Sequence, residues 1–273
     1  MARPRKAPVS RSTSSGPGIR EIPLRLVIPN MITVLSICAG LSGVRLAFEG
    51  RFELGVAMLL IAAFLDFIDG RTARLLKASS KFGAQMDSLA DIVNFGVVPA
   101  LVLYAYLLHH ANSIGWIAAL LFAIACALRL ARFNVMADDP DRPAWQSDYF
   151  VGVPAPVGAV LALLPIYLGF VGVPLAPPSA FAASAYTVLI ALLMISRIRV
   201  YSGKGPRKSI SRDYVLPLIF LVVLYVLLLF TYTWYTLTAS CVLYLLLLPL
   251  SMRAYARRER REAEQAAGDA NAS

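Results

Sequence analysis

The chain reads as an all-α integral membrane protein, a bundle of about eight transmembrane helices with both termini in the cytoplasm. Three observations predict this. Of its 273 residues, 58% are hydrophobic, and the mean hydropathy is +0.67. Continuous apolar runs of about twenty residues recur, the length a helix needs to cross the hydrocarbon of a bilayer. Basic and uncharged loops alternate between those runs, as orientation in a membrane requires. A membrane barrel is excluded because the apolar runs are unbroken, whereas barrel strands alternate polar and apolar residues.

In chain order, residues 1–20 carry Arg and Lys among Ser, Pro and Gly. They predict a disordered basic tail without the apolar stretch of a cleaved signal peptide. Residues 21–27 (EIPLRLV) mix charge and apolar side chains, which fits an interfacial segment or an ordinary linker. Spans are expected at 28–48, 53–75, 84–108, 113–135, 154–173, 178–197, 214–233 and 235–254, so that 28–254 forms the transmembrane domain. The prolines of VGVPLAPPS divide the fifth span from the sixth. The aromatic TYTWY cluster divides the seventh from the eighth. Residues 255–273 form a polar tail.

Loop charge fixes the orientation. The N-terminal tail, the loop with Arg71, Arg74, Lys77 and Lys81, the loop from Arg197 to Arg212, and the tail beginning Arg257 and Arg258 are all basic. The intervening HHANS segment and the fifth and seventh loops are uncharged. The net charge of +10 is thus explained by topology and by contact with anionic lipid. No base-reading module is present, so nucleic acid is not an expected partner. Cys38, Cys126 and Cys241 each fall in an apolar run without metal-binding spacing, which predicts buried, reduced thiols.

The stretch DFIDGRTARLLKASSKFGAQMDSLAD, residues 66–91, interrupts this apolar pattern at the ends of spans 2 and 3. Asp66 and Asp69 are three apart and Asp87 and Asp91 four apart, so each pair shares a helix face. Four carboxylates would cost about 10–14 kcal/mol at mid-bilayer on insertion scales, less near an end. Such a cluster calls for a counter-charge, and oxygen-seeking divalent cations are the simplest one. Gly70 and Gly83 keep side chains away where a ligand must approach the backbone, and Arg74 offers a fork of donors to phosphate oxygens. Carboxylates, phosphate donors and glycines together read as cation-assisted phosphoryl-type transfer. A cation pathway through the bundle is the alternative reading.

Asp66-x2-Asp69-Gly70-x2-Ala73-Arg74-x8-Gly83-x3-Asp87-x3-Asp91 resembles the signature of the CDP-alcohol phosphatidyltransferase family at each of its eight fixed positions. The resemblance implies a membrane helical bundle, a homodimer in the cell (inner) membrane, with an active site open to the cytoplasm. It implies Mg²⁺ or Mn²⁺, two ions, held by Asp66, Asp69, Asp87 and Asp91, with Asp91 also the general base. It implies a CDP pocket lined by Gly70, Ala73, Arg74 and Gly83, approached from the first span by Asn30 and Thr33.

The flanking segments DSLADIVNFGVVPA, ARFN and FVGVPAPVGA are similar to those of membrane-embedded phosphatidylserine synthases. This implies CDP-diacylglycerol as donor and L-serine as acceptor, with glycerol phosphate, inositol phosphate or choline as alternatives in the same family. Asn94 stands where the serine enzymes commonly have Ser, at a position expected to face the site. Arg129, Arg132 and Lys204 are candidates for the serine carboxylate or a lipid phosphate. For the two arginines, snorkelling toward the interface reads equally well, and for Lys204 a plain basic loop does.

Overall fold

In the computed structural model of the chain, the described residues are 24–76, 80–137, 149–196, 199–201 and 212–249. They are helical apart from one short ribbon. The elements are α1 (Leu24–Phe48), α2 (Phe52–Leu75), α3 (Lys81–Asp91), a π-helical turn (Ile92–Val97) and α4 (Val98–Tyr106). A 3₁₀ turn (Leu108–Ala111) then leads to α5 (Asn112–Ala137), β1 (Tyr149–Val151), α6 (Ala155–Ala162) and α7 (Leu164–Phe170). The remainder is α8 (Ser179–Ile195), β2 (Arg199–Tyr201), α9 (Arg212–Thr231) and α10 (Thr233–Pro249).

Three continuous helical stretches are long and apolar enough to cross a membrane: Val27–Phe48, Lys81–Tyr106 and Leu108–Met136. Shorter apolar helices follow at Ser179–Ile195, Val215–Thr231 and Thr233–Pro249. α2 matches the expected second span in extent, but Glu53, Asp66, Asp69, Arg71 and Arg74 break its apolar character. The helix breaks expected at VGVPLAPPS and TYTWY are present, between α7 and α8 and at Tyr232.

The expected span 154–173 is not one helix. It divides at Leu163 into α6 and α7, because Pro165 has no N–H to return to the carbonyl of Leu161. The hydroxyl of Tyr186 on α8 donates to that freed carbonyl at 2.8 Å. The break therefore also docks α8.

α1 and α2 are antiparallel and pack backbone to backbone. A Cβ on Gly43 would lie 2.7 Å from the carbonyl oxygen of Gly55, and one on Gly55 would lie 2.9 Å from that of Gly43. Close approach through small residues replaces the hydrophobic driving force that lipid-facing helices lack. The core lies between α4, α5, α6, α7 and α8, around Phe95, Val98, Leu103, Phe122, Ile166 and Met194, none more than 2% exposed. The antiparallel ribbon pairs Tyr149 with Tyr201 and Val151 with Arg199. At Gly152, with φ +75°, the chain turns into α6 beside the carbonyl of Met194, where a Cβ would collide.

α9 presents apolar side chains on all its described faces, with Leu216, Phe220 and Phe230 at 76%, 70% and 83% exposure. A helix apolar all round suits a hydrocarbon surrounding, in which it leaves no backbone group unpaired. Of the three cysteines, Cys126 and Cys241 are buried and free as expected, but Cys38 is exposed. Its position on α1 turns outward, away from the α2 contact, so an apolar neighbourhood in sequence did not mean burial.

The Gly43–Gly55 contact predicts that Gly43→Val lowers the melting temperature in detergent by several degrees, because overpacking there must separate two backbones. Cys38→Ser, on the outward face of the same helix, should leave it unchanged in the same thermal-shift measurement.

Candidate functional site

α2 and α3 run antiparallel, so that residues one turn apart along one helix meet residues one turn apart along the other. Asp66 thereby comes next to Asp91, and Asp69 lies near Asp87. Ligand oxygens of Asp66, Asp69 and Asp87 all fall within 4.8 Å of one another. Asp66 Oδ1 and both carboxylate oxygens of Asp69 are buried without a hydrogen-bond partner among the described residues. The described residues form one ion pair, Arg45–Glu49 at 2.8 Å, and it is not at this cluster.

Orphaned, buried, acceptor-only groups that converge from two helices fit a divalent cation. Carboxylate oxygen is the ligand that Mg²⁺, Mn²⁺ and Ca²⁺ prefer. A proton could relieve one such carboxylate; a cation relieves three at once.

Above the cluster opens a cleft of about 350 Å³ lined by Asn30, Thr33, Asp69, Gly70, Ala73, Arg74, Gly83 and Asp87, with Pro29, Ser80 and Ala84. Asp66 and Asp91 are one helical turn deeper than this lining. Thr33 is 4% exposed, and its hydroxyl donates to the carbonyl of Pro29 at 3.1 Å. Arg74 Nε donates to the carbonyl of Gly70 at 3.0 Å, which orients the guanidinium along the cleft rim.

The two glycines differ in their reason. A Cβ on Gly70 would meet nothing within 4 Å, so packing does not demand glycine there and the emptiness belongs to the cleft. A Cβ on Gly83 would lie 3.0 Å from Asn30 Oδ1 and 3.1 Å from Ser80 Oγ. Ser80, in extended backbone, caps α3 by accepting from the Gly83 amide at 2.9 Å.

A second, apolar groove of about 630 Å³ adjoins the cleft, lined by Val27, Met31, Val34, Leu35, Phe82 and Met86 and sharing Asn30 and Ser80 with it. A ligand that fills both must be polar and anionic at one end and hydrocarbon at the other. Neither Ser80 nor this groove was identified from sequence. Ser80 could have been, since a serine opening a helix is a cap signal. The groove could not, because its lining comes from two helices some fifty residues apart.

The remaining expected residues divide. Asn94 is 1% exposed and does not face the cleft. It lies on the π-helical turn, and its Nδ2 donates to Ser36 Oγ on α1, while the Ser36 hydroxyl donates to the carbonyl of Ala62 on α2 at 3.1 Å. Its Oδ1 is packed against Gly40. The expectation that Asn94 lines the acceptor pocket is thus corrected: the wider π turn swings it toward α1, where it ties three helices together. Arg132 Nη1 donates to the carbonyl of Ile195 at 2.7 Å, at the carboxyl end of α8 where a cation is favoured. Arg129 is 9% exposed, and its Nε has no partner among the described residues. Lys204 lies outside the described residues.

The cluster predicts that Asp69→Asn weakens Mn²⁺ binding to the purified protein at least tenfold, read by the loss of free Mn²⁺ signal in an electron paramagnetic resonance titration.

Comparison with known proteins follows the same lines. Residues 26–196 match the family model described as CDP-alcohol phosphatidyltransferase, and residues 213–249 match CDP-alcohol phosphatidyltransferase 2. A Mycobacterium leprae protein named CDP-diacylglycerol–serine O-phosphatidyltransferase is 50% identical over 146 residues, 53% of this chain and 48% of that protein. A Helicobacter pylori protein of the same name is 34% identical over 200 residues, 73% of this chain and 82% of that one. The chain thus spans about half the length of the mycobacterial relatives it matches. A crystal structure of Mycobacterium tuberculosis phosphatidylinositol phosphate synthase with CDP-DAG bound is 22% identical, covering 61% of this chain and 80% of that one, with a TM-score of 0.47.

Proposed function

The chain belongs to the CDP-alcohol phosphatidyltransferase family, and on that premise we propose that it transfers the phosphatidyl group of CDP-diacylglycerol to the hydroxyl of L-serine, giving phosphatidylserine and CMP. The observation that carries this reading is the joining of a carboxylate-floored polar cleft to an apolar groove. The pyrophosphate and cytidine of a CDP-lipid suit the first and its acyl chains the second. Serine as acceptor is supported by the names of the relatives at 34–50% identity.

Each residue then has a task. Asp66, Asp69, Asp87 and Asp91 hold Mg²⁺ or Mn²⁺, two ions, which when bound supply positive charge to the pyrophosphate oxygens. Arg74, oriented by the Gly70 carbonyl, adds donors to the same phosphates. Gly70 and Ala73 leave the width the diphosphate needs, and Asn30 and Thr33 face it from α1. Asp91 accepts the proton of the serine hydroxyl as that oxygen attacks the phosphorus bearing diacylglycerol. The bond from this phosphorus to the bridging oxygen breaks, and CMP leaves with that oxygen. Arg129, Arg132 and Lys204 are the basic candidates for the acceptor's carboxylate or a lipid phosphate. Of the two described ones, Arg129 has an unpartnered buried donor and is the better suited to hold the serine carboxylate.

The reading includes eight spans with both termini and the aspartates on the cytoplasmic side of the inner membrane, and a homodimer. A cation transporter built on the same aspartates would leave the apolar groove and the open space at Gly70 without a use.

Purified protein with CDP-diacylglycerol, Mn²⁺ and serine should release CMP, and neither glycerol phosphate, inositol phosphate nor choline should replace serine. Asp91→Asn should lower kcat by about 10²–10⁴-fold, the usual contribution of a general base. Gly70→Ala separates cleft from fold. Within a helix, alanine should hold or slightly raise the melting temperature, while CMP release falls more than tenfold.

A further inference from the structure

α1 turns one stripe of small and polar residues toward the helices that carry the aspartates. Thr33, Ser36 and Gly40 follow one another at intervals of three and four, which keeps them on one face. Thr33 lines the cleft beside Asp69. Because α1 and α2 are antiparallel, Ser36 is one turn deeper than Thr33 just as Asp66 is one turn deeper than Asp69. Ser36 is fully buried.

The Ser36 hydroxyl makes two bonds, and both lead to an aspartate. It donates to the carbonyl of Ala62 at 3.1 Å. That carbonyl is also the acceptor, four residues back along α2, of the Asp66 amide. The hydroxyl accepts from Nδ2 of Asn94, which lies three residues after Asp91 in the π turn Ile92–Val97. One side chain on α1 thereby holds both the turn of α2 that carries Asp66 and the turn that follows Asp91. Gly40 completes the fit. A Cβ there would collide with Asn94 Oδ1 and lie 3.2 Å from the Val98 side chain, so α1 fixes Asn94 at two positions a turn apart.

Stability alone does not call for this polar pair. Replacing both partners of a buried hydrogen bond by apolar groups of like shape is close to neutral. What such groups would not supply is direction. A hydroxyl that accepts from one element and donates to another sets their distance and phase, and a π turn shifts that phase immediately after Asp91.

We propose that Ser36 and Asn94 are positioning residues for the aspartate cluster: acting through the backbones of α2 and the π turn, their bond sets Asp66 against Asp91 and so tunes the affinity for the cation. This rests on the reading of the cluster as a Mg²⁺ or Mn²⁺ site. Partners that orient metal ligands from behind are typically worth about 10–100-fold in metal affinity.

The test is Mn²⁺ binding to the purified full-length protein without substrate, followed by electron paramagnetic resonance, with the melting temperature measured alongside. Ser36→Ala should weaken Mn²⁺ binding about tenfold. Tyr186→Phe removes a hydroxyl that bonds a backbone carbonyl elsewhere in the bundle, and should leave Mn²⁺ affinity within twofold of wild type. The double variant Ser36→Ala with Asn94→Leu removes both polar partners at once. Its melting temperature should return toward that of wild type while Mn²⁺ binding stays about tenfold weak, a split that a merely structural role would not produce. Mn²⁺ affinity within twofold of wild type in Ser36→Ala overturns the proposal. So does an equal loss in Tyr186→Phe, or a double variant that regains affinity together with stability. Absence of Mn²⁺ binding by the wild-type protein overturns the cation reading and the proposal with it.

Discussion

Three carboxylates whose oxygens lie within 4.8 Å of one another are the constraint on which this structure turns. At an effective dielectric of 20, each such pair of unit charges repels by about 3.5 kcal/mol or more. Nothing among the described residues offsets that repulsion by an ion pair, and three of the carboxylate oxygens have no hydrogen bond. The aspartates are held together by what surrounds them. α1 and α2 touch through Gly43 and Gly55, and the Asn94–Ser36–Ala62 chain ties the turn after Asp91 to both. An apolar bundle thus presents a preorganised anionic pocket in which bound cations are worth more than they would be in water.

The same packing makes use of several polar groups away from the cluster. Ser36 accepts from Asn94 and donates to Ala62, Tyr186 takes the carbonyl that Pro165 frees, and Arg132 caps α8. Each buried backbone or side-chain group that these bonds satisfy would otherwise be costly in a hydrocarbon surrounding. Groups left over stand out for that reason. Both Asp69 oxygens lie at the cleft and Asp66 Oδ1 a turn below it, while Asn94 Oδ1, Arg129 Nε and the hydroxyls of Tyr167 and Tyr244 are the other buried groups without a partner among the described residues.

Much of this was legible in the residues alone, and the reason is local periodicity. Asp66 with Asp69 and Asp87 with Asp91 share helix faces by spacing, and continuous apolar runs announce helices without any tertiary information. Asn30 and Thr33 of α1 line one cleft with Gly70, Ala73, Arg74 and Gly83 of the motif. Asn94 was not legible, because a π turn changes the helical phase and no pattern in IVNFGV marks it. The division of α6 from α7 was not read either, although Pro165 was in view, because length and hydropathy across 154–173 suggested a single span. Cys38 shows the matching limit for exposure: a run apolar on every side does not say which face meets lipid and which meets protein.

By itself the sequence determined that apolar helices would form, which of their ends would carry charge, and that four aspartates with two glycines and an arginine would converge between two of them. These follow from hydropathy, spacing and backbone freedom, which act over a few residues. Only the tertiary structure decided that the polar cleft continues into an apolar groove. It alone turned Asn94 to the helix interface and Arg132 to a carbonyl. Those outcomes depend on how antiparallel helices are phased against one another, and that phase is set by close contacts between residues such as Gly96 and Cys126 that are far apart in the chain.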